Sequence, residues 1–420
     1  MSVYPRNLSA FLNRLSGYNK NNIKMNVLGS DTANGGDTIQ VDLPTNSIVD
    51  LSSLAWAFTQ TIAAPGGAGN ATLPTQAESV IDRLAVEVNG QTLVNLQNYN
   101  VLFHSLLYTT ATEDYQRQRI VGQSTSTAAL MAYNAAAPVV REHVIDSWLG
   151  FLGSSKPSFI DTSLLGNVRI TITLANPSQI IGSGNAAMDA GRAYTISDQH
   201  FSMDVVSISD GIYDAMMDQM LASGAPIEIP FKNYFSYTQT LQDGTRNVMF
   251  NVASQSIDRL WATARLSTYA GANTGAGVVV AGPQFPVGAL CPSAFNFIKD
   301  ATGYQFQVNN TLYPNWSSTK AVDWWQHTKL AVGDQGNMLA GSFPTDMTQY
   351  LDNFFVYACQ LEHHSDGDER FVSGIDTRGA AATCFFKSTN AGGAPNQTLV
   401  FAECTSSLKV YANKVLEVVQ

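Results

Sequence analysis

The sequence predicts an all-β protein: two tandem antiparallel β-sandwiches carrying a few short helices. Two internal echoes and one pattern carry that prediction. The first echo opens at Asn34-Gly35, a pair suited to the left-handed angles of a tight turn. Ile39, Val41 and Leu43 then alternate with Thr38, Gln40 and Asp42, as on a half-buried strand. Asp243-Gly244 stands 209 residues after Asn34-Gly35, and Val248, Phe250, Val252, Ser256-Ile257 and Leu260 keep the spacing of Ile39, Val41, Leu43, Ser47-Ile48 and Leu51. The second echo is a strand, a turn and a strand. It surrounds Asn89-Gly90 in one copy and Asn309-Asn310 in the other, 220 residues later. A helix is predicted after each, over residues 99–108 and 321–330. The larger second offset implies an insertion in the later copy. The pattern is a series of short strands broken by Gly, Pro and Asn, without the strand–helix alternation of a parallel sheet.

Composition agrees. Charged residues are 13% of the 420, and 45% are hydrophobic, about half the usual charged share for a globular chain. No apolar run is long enough to span a bilayer. The net charge of −10 argues against nucleic-acid binding by the surface as a whole. Cys291, Cys359, Cys384 and Cys404 lack the spacing of a metal site and are read as free, buried thiols. No signal peptide is read in residues 1–27, which have no continuous apolar core. The sequons at Asn70, Asn309, Asn315 and Asn396 are therefore expected to be unused.

The order of elements divides the chain into an arm over 1–24, a first unit over 25–209 and a second over 210–420. In the arm, Leu8, Phe11, Leu12 and Leu15 have helical spacing. Arg6, Arg14, Lys20 and Lys24 precede the first acid, Asp31. Two readings stay open for it: a helix packed on its own domain, or a docking element. Residues 22–51 form a predicted hairpin, and 63–70 a Gly/Ala/Pro loop. Residues 81–95 are the next hairpin, followed by helices over 99–108 and 110–119. Residues 124–138 suit helix or loop. Residues 168–174 alternate cleanly as a strand, 179–192 are a loop, and 201–208 are a strand with a bulge at Val205-Val206. A helix over 210–223 links the units, capped by Asp210 and ended by Gly224. Pro230 marks the strand within 227–241 as an edge or bulged strand. Residues 269–290 are a second Gly/Ala/Pro loop, and 370–387 and 397–411 give the last strands. Many short strands with helices at one interior position fit a jelly roll in each unit.

Chemistry is sparse. There is no nucleophile elbow and no phosphate-binding loop, and Gly182-Ser183-Gly184 lacks the setting of a dinucleotide site. The run from His363-His364 to Glu369 misses calcium-loop spacing and reads as a solvated loop. His104 and His327 sit on the two equivalent helices with no recurring carboxylate or nucleophile. Trp324-Trp325 reads as core. No catalytic, cofactor-binding or metal residue is assigned.

With the duplication in hand, the chain resembles the double jelly-roll major capsid proteins of tailless membrane-containing phages, adenoviruses, virophages, polinton-like viruses and large algal DNA viruses. Residues 41–51 and 227–234 carry the likeness, which extends in element order over nearly the whole chain. It implies a homotrimer whose six sandwiches give a nearly hexagonal outline and tile an icosahedral virion shell. The implied partners are other trimers and penton and minor capsid proteins, with no sequence-specific nucleic acid. The resemblance places the amino terminus at the inner side, where a basic, apolar arm meets a membrane, the genome or, the reading preferred here, a protein. The competing class is a carbohydrate-binding or carbohydrate-cleaving sandwich pair, which needs facing carboxylates or an exposed aromatic platform. A fibre or receptor-binding protein would show fibrous repeats or a distinct tip.

Overall fold

The computed structural model describes residues 18–63, 70–72, 77–110, 132–134, 138–183, 193–208, 212–222, 224, 226–241, 245–266, 301–331, 350, 355–362, 374–379, 383–390 and 396–420. The first unit runs β1 (Tyr18–Asn26), β2 (Ala33–Asn34), β3 (Thr38–Asp42), β4 (Ile48–Ile62), β5 (Asn70–Thr72), β6 (Ile81–Val88), β7 (Gln91–Gln97) and α1 (Tyr99–Thr110). It continues through β8 (Ala132–Asn134), β9 (Val139–Ile145), α2 (Phe151–Ser154), β10 (Phe159–Asp161), α3 (Thr162–Leu165), β11 (Val168–Leu174), α4 (Pro177–Ile180), β12 (Gly182–Ser183) and β13 (Tyr194–Ile208). The second unit runs α5 (Ile212–Ala222), β14 (Ile227–Leu241), β15 (Thr245–Asn251), β16 (Ile257–Leu266), β17 (Ala301–Val308), β18 (Thr311–Ser318) and α6 (Ala321–Ala331). It ends with β19 (Tyr357–Gln360), β20 (Thr383–Asn390), β21 (Asn396–Tyr411) and β22 (Val415–Val419).

The two units share one topology. In the first, β1-β13-β4-β10 faces β3-β11-β6-β7. In the second, β14-β21-β16-β19 faces β15-β20-β17-β18. All these pairings are antiparallel. In each unit the opening strand lies beside the last, and the chain crosses repeatedly between sheets, which is the jelly-roll arrangement. The fold class read from the sequence therefore holds.

The echoes hold as well, with one correction. Ile39, Val41 and Leu43 are buried, as are Val248, Phe250 and Val252. Val168 lies opposite Val88 in the first unit, and Cys384 lies opposite Val308 in the second. Across β3 and β15, however, Val41 faces Ile170 whereas Phe250 faces Cys384. With Ile170 and Phe386 as equivalents, Val41 corresponds to Val248. The spatial offset is thus two residues shorter than the sequence offset. Two residues are one pleat, so the inward set is unchanged and alternation alone is blind to the slip. The turns at Asn89-Gly90 and Asn309-Asn310 are equivalent: each joins its two strands, and Asn89, Gly90 and Asn309 have positive φ.

Several boundaries move. Residues 22–51 are not a hairpin. β1 pairs with β13, β3 with β11, and the turn at Asn34–Asp37 carries the chain between sheets. Gly36, not Asn34, takes the left-handed angle there, at φ 94. The arm is shorter than 24 residues, because Tyr18–Asn26 is strand β1. Leu8, Phe11, Leu12 and Leu15 lie outside the described residues, as do 110–119 beyond Thr110 itself, Asp210, Asp243-Gly244, 269–290 and most of 63–70. The last sheet strands are Thr383–Asn390 and Asn396–Tyr411, not 370–387 and 397–411. β13 begins at Tyr194, and its register breaks lie between Ser197 and His200 and between Ser202 and Asp204, upstream of Val205-Val206. Pro230 is on an edge strand, as its missing N–H requires, for among the described residues β14 pairs only with β21.

The sandwiches stand side by side in the same sense. Ile48 at the start of β4 and Ile208 at the end of β13 share a cavity wall with Ile227 at the start of β14 and Val410 near the end of β21. β4 and β16 run away from this end.

Candidate assembly surfaces

The joint between units is built from the edge strand β14. Phe231 meets Phe151 of α2 edge-on, with ring centroids 5.3 Å apart. The Lys232 N–H donates to Ser154 Oγ at 2.8 Å, and the Lys156 N–H to the Pro230 carbonyl at 3.0 Å. Asn98 Nδ2 donates to Thr238 Oγ1 at 3.1 Å. Trp261, Leu399 and Phe401 pack in one apolar cluster with the first unit's core. Their strand neighbours Leu260, Ala262, Val400 and Ala402 pack instead against the second unit's own facing sheet. The sheet of β14, β21 and β16 is therefore covered on both sides.

A buried ionic cluster lies at this joint. Lys232 Nζ is 2.9 Å from Asp258 and 3.8 Å from Glu362, and Arg259 is 2.7 Å from Glu362 and 3.8 Å from Glu403. Trp261 Nε1 donates to Glu403 at 3.3 Å. Burial pushes the Glu362 carboxyl up, against the pull of Arg259 and Lys232. Burial works against the Lys232 ammonium too, but Glu403, Asp258 and Glu362 outweigh it and raise its pKa. Removing one member of such a cluster costs far more than replacing the whole.

Among the described residues, two surfaces stay open. On the first unit, the outward side chains of β4, β13 and β9 form one sheet face. Ala57 lies between His200 and Val144, Thr59 between Ser197 and Glu142, and Thr61 between Thr195 and Val140. Val140 is 61% exposed and Val144 59%. The face is small-residued, poor in charge and edged with valine. On the second unit, the open surface is the outside of β18 and α6. Trp316 is 51% exposed and Val322 56%, and Leu330 is exposed beside them. The equivalent helix α1 buries Val101, Leu102, Phe103, His104 and Ser105 in succession. Each unit thus leaves open the kind of surface that the other covers.

The histidine-rich run 363–369 lies outside the described residues, and among those described no group of His, Cys, Asp and Glu is arranged to hold a metal. His104 is buried in α1, which pushes its pKa down to about 3. His327 is half-buried between Trp316 and Tyr357. Trp324 is core, donating to the Ser318 carbonyl at 2.8 Å, while Trp325 is half-buried under Lys329. Cys384 and Cys404 are buried free thiols and Cys359 is half-buried. The positive charge expected of the arm is partly spent: Lys20 Nζ pairs with Asp204 at 2.8 Å and Asp50 at 3.4 Å on the first sheet. The residues of the joint escaped the sequence reading. One signal for them exists, the unbroken apolar run Leu399-Val400-Phe401-Ala402, which marks a strand buried on both faces.

No family model and no curated protein matches the chain. Solved structures do. PBCV-1 VP54, as fitted into a reconstruction of the virophage Sputnik, matches at TM-score 0.64 and 13% identity over 96% of this chain and 97% of that one. The PBCV-1 capsid model matches at TM-score 0.59 and 13% identity over 96% and 97%. The Faustovirus major capsid protein matches at TM-score 0.59 and 9% identity over 94% and 90%. Over nearly its whole length, then, the chain has the double jelly-roll fold of these proteins.

Proposed function

We propose that the chain is a major capsid protein, three copies of which close into a ring of six sandwiches that tiles an icosahedral virion shell. One observation carries the ring: the first unit leaves its outer sheet face open, and the second leaves its β18–α6 side open. Within the chain, the second unit's outer sheet face already packs on the first unit near α1 and α2. Repeating that contact between chains sets the Thr59 face of one copy against the Trp316 side of the next. Such head-to-tail contacts give a closed ring when the rotation per step closes. Three duplicated chains supply the six similar edges that hexagonal tiling needs. The full-length likeness to viral capsid proteins supports the shell, with neighbouring trimers and penton and minor capsid proteins as partners. A glycosidase reading gains nothing from the joint, where Asp258, Glu362 and Glu403 are buried and paired with Lys232 and Arg259. Light scattering of the purified protein should give three times the chain mass of 45.3 kDa, and particle images should show six lobes. A monomer at micromolar concentration, or images without sixfold character, would refute the proposal.

A further inference from the structure

We infer that Lys232 and Asp258 condense, with loss of one water, into an amide that ties β14 to β16. The central strand β21 lies between those two. Lys232 is opposite Thr405 of β21. Asp258 sits in a bulge: Ile257 is opposite Cys404 and Arg259 opposite Glu403, and Asp258 stands between them as the extra residue. Bulges re-aim side chains, and this one brings Asp258 Oδ2 to 2.9 Å from Lys232 Nζ.

A plain ion pair needs only that distance. Three further features make this a bond-forming site. First, both Asp258 oxygens accept hydroxyl hydrogens, Oδ1 from Ser256 at 2.6 Å and Oδ2 from Thr405 at 2.7 Å. The Ser256 oxygen accepts the Gly374 N–H at 2.9 Å, which holds it in place. Fixed donors of this kind steady the oxyanion that forms when an amine adds to a carboxyl carbon. Second, among the described residues the cluster sets the carboxyls of Asp258, Glu362 and Glu403 against the two cations Lys232 and Arg259. One carboxyl is left over to carry a proton. Glu362 suits that part: it is 3.8 Å from Lys232 Nζ, a gap that one water closes, and burial pushes its carboxyl pKa up. Third, water is scarce, for the side chains of Asp258 and Glu362 are 2% and 6% exposed. Dryness protects an amide from hydrolysis. Condensation also removes two charges from the interior, where each is costly to keep.

The atoms balance. At rest the surrounding acids keep Lys232 an ammonium. One proton passes from Nζ to Asp258 Oδ2, which leaves a neutral amine beside a neutral acid. The Nζ lone pair adds to Asp258 Cγ, and the charge that develops on Oδ1 rests against the Ser256 hydroxyl. A second proton moves from Nζ through Glu362 to Oδ2. The Cγ–Oδ2 bond breaks, Oδ2 leaves as water, and the carbonyl re-forms at Oδ1. Nζ keeps its third hydrogen as the amide N–H. No oxidant or other reactant is consumed.

The test weighs the purified full chain under denaturing conditions, so its outcome does not depend on trimer or shell assembly. The mass should fall short of the sequence mass by one water. A protease digest should yield one branched peptide that joins the Lys232 and Asp258 segments. The full sequence mass, with Lys232 and Asp258 recovered in separate linear peptides, would overturn the inference. Lys232→Arg keeps the cation but cannot form this amide, so it should show no deficit and a lower thermal midpoint. A deficit that persists in that variant would place the lost water elsewhere and overturn the inference too. Glu362→Gln should keep the circular dichroism of the parent yet leave most chains at the full sequence mass. Complete condensation in that variant would overturn the part assigned to Glu362.

Discussion

β13 and β21 hold the same place in their sandwiches, and their burial differs. β13 largely alternates: Tyr194, Ile196, Phe201 and Met203 are buried, while Thr195, Ser197, His200 and Ser202 are not, and Gln199 is buried where the register breaks. In β21 every residue from Thr398 to Leu408 is buried. Both strands are flanked on either side by hydrogen-bonded partners, so pairing does not explain the contrast. What differs is the number of faces covered. The first unit's outer sheet face is open, whereas the second unit's lies against its neighbour. Strand periodicity here records how many layers press on a sheet, and a repeated unit comes to differ from its twin through what it touches.

The largest test of that contrast places one charge on each outer face. Thr263 is buried on β16, on the side opposite Ala262 and Ala264 of the second unit's core, and donates to the Phe355 carbonyl at 2.7 Å. Thr263→Arg buries an unpaired charge and should cost about 3–5 kcal/mol in urea unfolding. Thr59→Arg, on the open face, should change monomer stability by no more than about 0.5 kcal/mol yet abolish the proposed trimer in light scattering. If Thr59→Arg still forms trimers, that face is not the inter-chain surface.

A second test uses acid. Burial and the Arg141 charge push His143 of β9 down to about 4. His104 is held low by burial, whereas His327 of the second unit is only half-buried. A histidine with a depressed pKa takes up its proton in the unfolded state first. Its contribution is therefore constant above about pH 6.5 and is lost as pH falls from there toward 4, with about 3 kcal/mol at stake for His143. His143→Gln should flatten that loss in urea midpoints taken at pH 7 and 4.5. Limited proteolysis at pH 4.5 should cut first within residues 18–208. Equal slopes in the variant and the parent would show that His143 does not set the acid limit.

The smallest effect comes from the facing sheets. Asp42 and Arg169 are directly paired, at 2.7 Å, where the second unit has Met249 and Phe385. The Arg169 hydrogen bond, against some desolvation, holds the Asp42 carboxyl below its ordinary range. That stabilisation is present above the ordinary carboxylate pKa and is lost as pH falls through the depressed one. Both side chains are about a third exposed, so Asp42→Asn should cost under about 1 kcal/mol at pH 7 and progressively less as acid protonates the carboxyl. A larger loss at neutral pH would mean that the first unit depends on charge where the second manages with apolar contact.

The sequence made the strands of both units legible where one face is buried, because alternation repeats every two residues. Val168–Leu174 and the strands around Asn89-Gly90 are examples. β19 and β22 went unread, being four and five residues long and defined by strands far along the chain. The joint was hidden for a related reason. Phe151 and Phe231, or Arg259 and Glu362, are ordinary residues until the fold brings them together. The paired open surfaces needed the contrast between α1 and α6, which is a contrast in neighbours.

β14 also has a history in time. Ile227 pairs with Val410 and Leu241 with Asn396, so β14 leaves the ribosome long before its partner. At about 5–20 residues per second the wait is roughly 8–37 s. A lone strand edge is a template for aggregation. Its outer edge has early company, because Ser154 and Lys156 of the already synthesised first unit bond Lys232 and Pro230, and proline offers no donor to a stray strand. The contact that later joins the two sandwiches thus guards the nascent second one, and its loss should lower the yield of soluble protein during synthesis more than it lowers the stability of the finished fold.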